Sequence, residues 1–464
     1  MLRSACPTGL LVRTLPLAVF AAAAACGAKI SSPKLVPDVD VVTYAEFADA
    51  DQDYGRTLER TDSDGDGADE LVVGGPSNDP NWDGIVLFVE LGTFHVVNAV
   101  FPWRDSGETS DHHDEYGSSQ LLADLDGDGR LDLAVGDPGA DGPTTERAGE
   151  VWVYFAPIEA STPVRLRSAT PSPGARFGQS LASGDFDGDG YGDLAVGAPH
   201  PTDLTTATDD PSVDVYFGPD LTRREHWAAL GGGGRFGSTL VVLPQDAGAA
   251  TLVAGAPEAA VGATGQGDAF AFARGAGAAT TRRLNATAAV TGFGLAAETG
   301  DFDGDGAREL AFVAPQGDAG IWFFDPVSLA ARGGRALPAA LGQRGEAPVR
   351  RLADRSRDGA DELVLLSATR ADPAAVVFSP GRGSAFLRLD FAAASVVVGN
   401  FDFDPDQELL FATPTTFKPS GGFALLRLVD LSWKENQKAG VLAARTAPAT
   451  IPGARELRAA GVIR

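Results

Sequence analysis

Residues 184–199 read Gly184-Asp185-Phe186-Asp187-Gly188-Asp189-Gly190-Tyr191-Gly192-Asp193-Leu194-Ala195-Val196-Gly197-Ala198-Pro199. Three pieces follow one another. Asp185, Asp187 and Asp189 alternate with other residues, Gly190 follows, and Asp193 adds a fourth carboxylate. Leu194-Ala195-Val196 is a short apolar run of strand character. Gly197-Ala198-Pro199 then breaks the strand. Phe177-Gly178 stands eight residues ahead of Asp185.

The same arrangement recurs along the chain. Aligned on the first loop position, copies begin at Asp62, Asp124, Asp185, Asp301, Asp354 and Asn400, and a copy without carboxylates begins near Leu243 and ends in Gly255-Ala256-Pro257. Tyr54-Gly55, Tyr116-Gly117, Phe177-Gly178 and Phe293-Gly294 keep the offset of eight, and Phe236-Gly237 is one residue out of register. Between copies lie alternating apolar runs such as Ile85-Val86-Leu87-Phe88-Val89, Val151-Trp152-Val153-Tyr154-Phe155 and Val213-Asp214-Val215-Tyr216-Phe217. They are β-branched and aromatic and are bounded by Gly and Pro, which marks them as strands. Each copy therefore holds about four strands, and little helical periodicity appears anywhere. Four-stranded units at this period predict an all-β fold, a β-propeller of seven four-stranded blades, one per copy. The expected blades cover residues 54–102, 116–169, 177–230, 236–287, 293–337, 346–389 and 392 onward.

The combination of Phe-Gly, an Asp-rich loop and Gly-Ala-Pro resembles the FG-GAP repeat of the integrin α-subunit N-terminal β-propeller, which also occurs in bacterial surface proteins. The resemblance spans about residues 38–431. It implies the propeller fold and metal-binding loops, and it leaves the function open.

The loops themselves carry the metal argument. Calcium takes six to eight oxygen ligands, mostly carboxylates and carbonyls. Carboxylates at loop positions 1, 3, 5 and 9 wrap such an ion, and Gly at position 6 permits the tight turn. Four loops supply the set: Asp62, Asp64, Asp66 and Glu70; Asp124, Asp126, Asp128 and Asp132; Asp185, Asp187, Asp189 and Asp193; Asp301, Asp303, Asp305 and Glu309. About four calcium ions (Ca2+) are expected. An EF-hand is excluded, because its position 12 requires Glu and here holds Val73, Val135, Val196 or Phe312. Two further loops are partial: Asp354, Asp358 and Glu362 lie among arginines, and Asn400, Asp402, Asp404 and Glu408 have Pro405 in place of the Gly. These are weak or vacant candidates.

The 464-residue chain carries a formal charge of −26, which argues against nucleic acid as a partner. Much of that excess sits in the repeat loops. At the N-terminus, Arg3 and Arg13 precede an apolar stretch ending in Ala23-Ala24-Ala25-Cys26-Gly27. Small residues directly before a Cys resemble a bacterial lipoprotein cleavage site, with Ala23 where such sites usually carry Leu. The resemblance implies a signal peptide over 1–25, a lipid on Cys26, a tether over 26–37 and the propeller over 38–464. The implied place is an exported, membrane-anchored lipoprotein of an outer membrane or cell surface. The alternative is an ordinary signal peptide cut nearby. Cys6 and Cys26 are the only cysteines, so the mature body has no internal disulfide.

No nucleophile-elbow, zincin or phosphate-loop motif is present. The favoured function is a binding or adhesion module for a protein or glycan ligand, attached to a membrane through its lipid. The alternative is a polysaccharide-active hydrolase or lyase with acids lining the central channel. In four-stranded blades the acidic loops join strands 1 and 2 and share one rim. The long segments 76–84, 102–115, 138–149 and 199–212 fall on the opposite rim. They bring Trp82, Trp103, His112 and His113, with Tyr116 at their base, and are the expected ligand face. Two sequences compete to close the ring: residues 38–44 at one end, and 440–445 or the Pro452-Gly453-Ala454-Arg455 echo at the other.

Overall fold

The computed structural model describes the chain between residues 41 and 457, except for residues 48–53, 63–68, 78–82, 92–94, 103–114, 143–144, 159–160, 201–210, 229–232, 244–247, 260–266, 275–278, 285–289, 315, 318–319, 337–348, 353, 355–358, 368–373, 382, 390–392, 400–407, 415–423, 431–448 and 452–456. All described residues belong to one unit, Asp38–Arg464. It is an all-β propeller of four-stranded antiparallel blades.

Blade 1 is Thr57–Thr61, Glu70–Gly75, Ile85–Glu90 and Val96–Val100. Blade 2 is Ser119–Ala123, Asp132–Asp137, Glu150–Tyr154 and Val164–Leu166. Blade 3 is Ser180–Gly184, Asp193–Ala198, Ser212–Phe217 and Arg223–Ala228. Blade 4 is Thr239–Leu243, Thr251–Ala256, Asp268–Arg274 and Ala279–Leu284. Blade 5 is Ala296–Gly300, Glu309–Ala314, Gly320–Phe324 and Ala331–Ala336. Blade 6 is Val349–Leu352, Glu362–Ser367, Ala374–Ser379 and Ser384–Leu389.

The expectation of seven uniform four-stranded blades requires correction. Among the described residues six sheets have four strands, and the strands of the last repeat lie in a composite sheet of five. Ser395–Gly399, Glu408–Pro414 and Ala424–Asp430 form its inner part. The N-terminal strand Val41–Phe47 pairs antiparallel with Ala424–Asp430, and Ala449–Ile451 adds in parallel on its far side. Both chain ends therefore enter the same sheet, the N-terminal strand directly and the C-terminal one through it. Of the competing sequences, the N-terminal one supplies the strand beside Ala424–Asp430, whereas Ala449–Ile451 is neither of the C-terminal segments expected. Residues 440–445 and 452–455 lie outside the described residues.

The innermost strands touch in a closed circuit, from blade 1 through blade 6 to Ser395–Gly399 and back to Thr57–Thr61. The second strand of each of blades 1 to 5 is buried from end to end. Burial on both faces explains why these strands read as unbroken apolar runs rather than as alternation. The core is a series of apolar layers between adjacent blades. Leu194, Val196 and Tyr216 of blade 3 pack on Ala134, Val151 and Val153 of blade 2. Tyr54, Leu71 and Leu87 of blade 1 pack on Val397 and Leu410 of the composite sheet, with Leu457 added from near the C-terminus.

The repeat's two glycine positions explain how blades join. The Phe-Gly glycine donates its N–H to the Gly-Ala-Pro glycine of its own blade: Gly55 to Gly74 at 2.9 Å, Gly117 to Gly136 at 3.0 Å, Gly178 to Gly197 at 3.0 Å and Gly237 to Gly255 at 2.9 Å. Its carbonyl turns to the preceding blade, where a hydroxyl on the inner strand donates to it. Thr57 Oγ1 reaches Gly117 O at 3.2 Å, Ser119 Oγ reaches Gly178 O at 2.5 Å and Ser180 Oγ reaches Gly237 O at 2.5 Å. A Cβ at Gly197 would overlap both Gly237 O and Ser180 Oγ, and one at Gly136 would overlap Gly178 O and Ser119 Oγ. Gly197, expected to break the strand, is instead paired within Asp193–Ala198, where it permits a close approach between blades that only Gly allows.

Candidate metal centres

Each acidic loop joins the first strand of a blade to the second. Its last carboxylate is the first residue of the second strand, and that residue is buried: Glu70, Asp132, Asp193 and Glu309 are at most 2% exposed. The residue at loop position 2 turns inward; Leu125, Phe186 and Phe302 lie in the core. Its N–H donates to the position-9 carboxylate, Leu125 to Asp132 at 2.8 Å, Phe186 to Asp193 at 2.6 Å and Phe302 to Glu309 at 2.8 Å. Position 1 accepts from the glycines at positions 4 and 6: Gly127 and Gly129 to Asp124, Gly188 and Gly190 to Asp185, Gly304 and Gly306 to Asp301. With those glycines at φ between 79° and 93°, the loop curls so that alternate carboxylates converge.

Among the described residues three groups result. One oxygen each of Asp124, Asp126 and Asp132 lie within 4.8 Å of one another; so do those of Asp185, Asp187 and Asp193, and of Asp301, Asp303 and Glu309. The position-5 carboxylates Asp128, Asp189 and Asp305, expected as ligands, fall outside these groups. Asp128 takes Nε and Nη2 of Arg130 at 3.1 and 2.8 Å, and Asp189 accepts the N–H of Tyr191 at 3.0 Å. Of the first loop, Asp62 and Glu70 are described, whereas Asp64 and Asp66 lie outside the described residues. Of the partial loops, Asp354 is half-buried and Glu362 and Glu408 are buried, whereas Asp358, Asn400, Asp402 and Asp404 lie outside the described residues.

The electrostatics of the clusters follow from crowding and burial. Burial pushes the Asp193 carboxyl up to about 6, with Asp189 and Asp185 adding to it, although Gly218 and Phe186 donate N–H groups to its oxygens. Burial likewise raises Asp132, and it pushes Glu309 up to about 7, helped by Asp303. A divalent cation would reverse this cost, because it favours the charged form of each ligand.

The residues of loops 2 and 3 fit calcium. The donors are hard oxygens, the spacing suits one ion, and in loop 3 the Oδ1 atom of Asp187 is buried with no hydrogen-bond partner. In loop 5 the fit is disturbed. Nη1 of Arg332 reaches Asp303 at 3.0 Å, Asp305 at 3.2 Å and Glu309 at 3.0 Å. This arginine carried no signal in the repeat pattern, since it lies on the fourth strand, far in sequence from the loop it enters.

The opposite rim is less fully described. Trp82, Trp103, His112 and His113 lie outside the described residues, as does Cys26. Tyr116 does not belong to an exposed face: it is fully buried, and its hydroxyl meets that of Tyr154 at 2.9 Å. Its ring fills the layer between blades 1 and 2, the position that the aromatic of each Phe-Gly pair takes. Two other histidines have structural partners: His200 bonds Ser172 at 2.7 Å and His226 bonds Asp214 at 2.7 Å. Along the axis, the inner strands of the blades enclose a cavity of about 860 Å³ whose wall includes Arg56, Gln120, Gln179, Glu298 and Arg350.

Comparison with known proteins agrees with this geometry. Residues 116–154 and 177–216 match the FG-GAP repeat. Integrin alpha-PS2 of Drosophila melanogaster is 34% identical over 163 residues, 31% of this chain and 11% of the integrin. Integrin alpha pat-2 of Caenorhabditis briggsae is 31% identical over 33% of this chain and 14% of its own length. Phosphatidylinositol-glycan-specific phospholipase D of Mus musculus is 38% identical over 22% of this chain and 13% of its own. The matches span no more than 14% of the length of these three relatives. The chain carries FG-GAP repeats, and its propeller is integrin-like.

Proposed function

We propose that this propeller is an exported, calcium-stabilised binding module whose ligand is a protein or a glycan. The observation that carries the reading is the pair of intact carboxylate clusters in loops 2 and 3, one of them with a buried, unpartnered oxygen on Asp187. In this reading Asp124, Asp126 and Asp132 hold one ion, and Asp185, Asp187 and Asp193 a second. Loop 1 holds a third through Asp62, Asp64, Asp66 and Glu70. The ion supplies positive charge that lets crowded carboxylates stay ionised and ties the start of each second strand to its loop. The composite sheet acts as a seventh blade and closes the ring. The resemblance to integrin α chains supports a protein ligand and an extracellular place. Cys26 carries a lipid that anchors the module to a membrane.

The ligand face is the rim opposite the acidic loops. In this reading that rim carries the segments 76–84, 138–149 and 199–212, between second and third strands, and 102–115, between blades 1 and 2. Trp82, Trp103, His112 and His113 are its candidate anchors.

Calorimetric titration of chelated protein with calcium tests the reading. The expected result is more than one ion per chain, with Asp126→Asn and Asp187→Asn each removing one. Protein that takes up no calcium and melts identically in chelator would refute it. For the anchor, Cys26→Ser should move the protein out of the membrane fraction.

A second reading, a polysaccharide-active enzyme, has one observation in its favour. Burial raises the carboxyls of Glu59 of blade 1 and Glu298 of blade 5, and the charge of Glu298 raises that of Glu59 further. Arg350, 3.5 Å from Glu59, opposes that shift and gives the cluster the character of an ion-pair group. Glycan turnover by the wild type that Glu298→Gln abolishes would establish the enzyme.

A further inference from the structure

The acidic loop of blade 5 has the same carboxylate set as those of blades 2 and 3, yet its surroundings differ. Arg332 sits on the fourth strand of that blade, next to the turn that leads back from the third strand. Pairing between Gly320–Phe324 and Ala331–Ala336 matches Phe324 with Ala331 and Phe323 with Gly333, so the register skips Arg332. Such a bulge re-aims the extra side chain. Blades 1 and 6 have the same skip, but there it falls on Val97 and Phe386. In blade 3 the third and fourth strands pair without a skip. An arginine at the bulge is peculiar to blade 5 among these.

The bulge sends the guanidinium into the loop. Nη1 lies 3.0 Å from Asp303, 3.2 Å from Asp305 and 3.0 Å from Glu309. Nη2 is held at 2.8 Å by Asp325, which is itself fixed by the N–H groups of Val327 and Ser328 in the turn. Two of the three residues that converge in this loop, Asp303 and Glu309, thus already share a cation. The other loops are served differently. Arg130 in loop 2 pairs with Asp128, outside the converging group, and donates to the carbonyl of Ala156. Arg223, on the fourth strand of blade 3, also reaches its loop, but it pairs with one oxygen of Asp187 alone and leaves the other without a partner, while its guanidinium lies over the ring of Phe217.

We infer that Arg332 is the resident cation of loop 5, standing where loops 2 and 3 take calcium. A calcium ion ligated by Asp303 and Glu309 and a guanidinium hydrogen-bonded to both need the same oxygens and the same space. One charge on a planar, multidonor group serves the loop without metal. The propeller then has two kinds of acidic loop on the same rim, those of blades 2 and 3 dependent on calcium and that of blade 5 independent of it. The inference deepens the proposed calcium reading and rests on it for loops 2 and 3 alone.

Two measurements on the full-length protein test it. Calcium stoichiometry is compared for the wild type, Arg332→Gln, Arg332→Lys and Arg223→Gln. Arg332→Gln should bind one more ion than the wild type, and that ion should disappear when Asp303→Asn is added. Arg223→Gln should leave the count unchanged. Thermal melting in chelator gives the second readout: Arg332→Gln should melt below the wild type, with Arg332→Lys between them, and calcium should restore Arg332→Gln. The inference is overturned if Asp303→Asn in the wild-type background removes an ion, or if Arg332→Gln gains none while Asp187→Asn still loses one. It is also overturned if Arg332→Gln melts in chelator as the wild type does. Absence of any calcium in all variants refutes the calcium reading instead, and the melting comparison in chelator still decides the role of Arg332.

Discussion

The hydroxyl of Ser395 donates to the carbonyl of Gly55 at 2.6 Å, joining residues 340 apart in sequence. Ser395 opens the inner strand of the composite sheet, and Gly55 belongs to the aromatic-Gly pair of blade 1. The bond is of the same kind as Ser119 to Gly178 and Ser180 to Gly237. The contact that closes the ring therefore repeats the contact between successive blades.

Ser395→Ala should lower stability by about 1 kcal/mol, the usual net worth of one hydrogen bond, with an added cost for leaving Gly55 O unpaired. Urea unfolding of Ser395→Ala and Ser119→Ala should give similar losses. A loss at Ser119 with none at Ser395 would mean that closure does not depend on this bond.

Removal of residues 1–47 deletes the strand that lies between Ala424–Asp430 and Ala449–Ile451. The segment 449–451 then has no partner, and the outer edge of Ala424–Asp430 is exposed. The truncated protein should be cleaved near its C-terminus by a dilute protease before any other site, and should self-associate. Equal protease resistance of both forms would contradict the composite sheet.

Gly197→Ala should destabilise by about 3 kcal/mol, because the new Cβ overlaps Gly237 O across the blade boundary and Ser180 Oγ within its own blade. Gly190→Ala should cost only about 1 kcal/mol: its φ is 93°, but nothing lies within 4 Å of the new atom. Melting temperatures in chelator compare the two without any contribution from metal. A larger loss at Gly190 would invert this account of the two glycines.

Acid should release one clamp on the rim opposite the acidic loops. Burial raises the Glu115 carboxyl, but Arg176, with bonds of 2.9 and 2.5 Å, outweighs it and holds the group below its ordinary value of 4.5. A carboxyl lowered by folding contributes stability that is full above its unfolded value and is lost as pH falls through the folded one. The gap between wild type and Glu115→Gln should therefore be constant near neutrality and close below about pH 4.5. Its size should be no more than about 1 kcal/mol, since the pair is partly exposed. Urea midpoints from pH 7 to pH 3 measure it, and a gap that widens in acid would reverse the assignment.

Much of this protein was legible in the sequence because the repeat states its physics locally. The run Asp185 to Pro199 contains a turn that needs Gly, alternate carboxylates that must converge, and a strand buried on both faces. Those are short-range constraints, and the propeller with its acidic loops follows from them. The hydroxyl two residues after each glycine, in Gly55-x-Thr57, Gly117-x-Ser119, Gly178-x-Ser180 and Gly237-x-Thr239, was a readable signal as well, although its partner lies in the next blade. Three things were decided only by tertiary structure. Both chain ends enter one five-stranded sheet, which depends on where the circuit of inner strands meets itself. Tyr116 is core, because its place between two blades outranks its nearness to a polar segment. Arg332 enters the loop of blade 5, because a one-residue bulge turns it there and because strands 1, 2 and 4 of a blade meet at one rim. No sequence spacing records that meeting, since it arises from the folding of the blade upon itself.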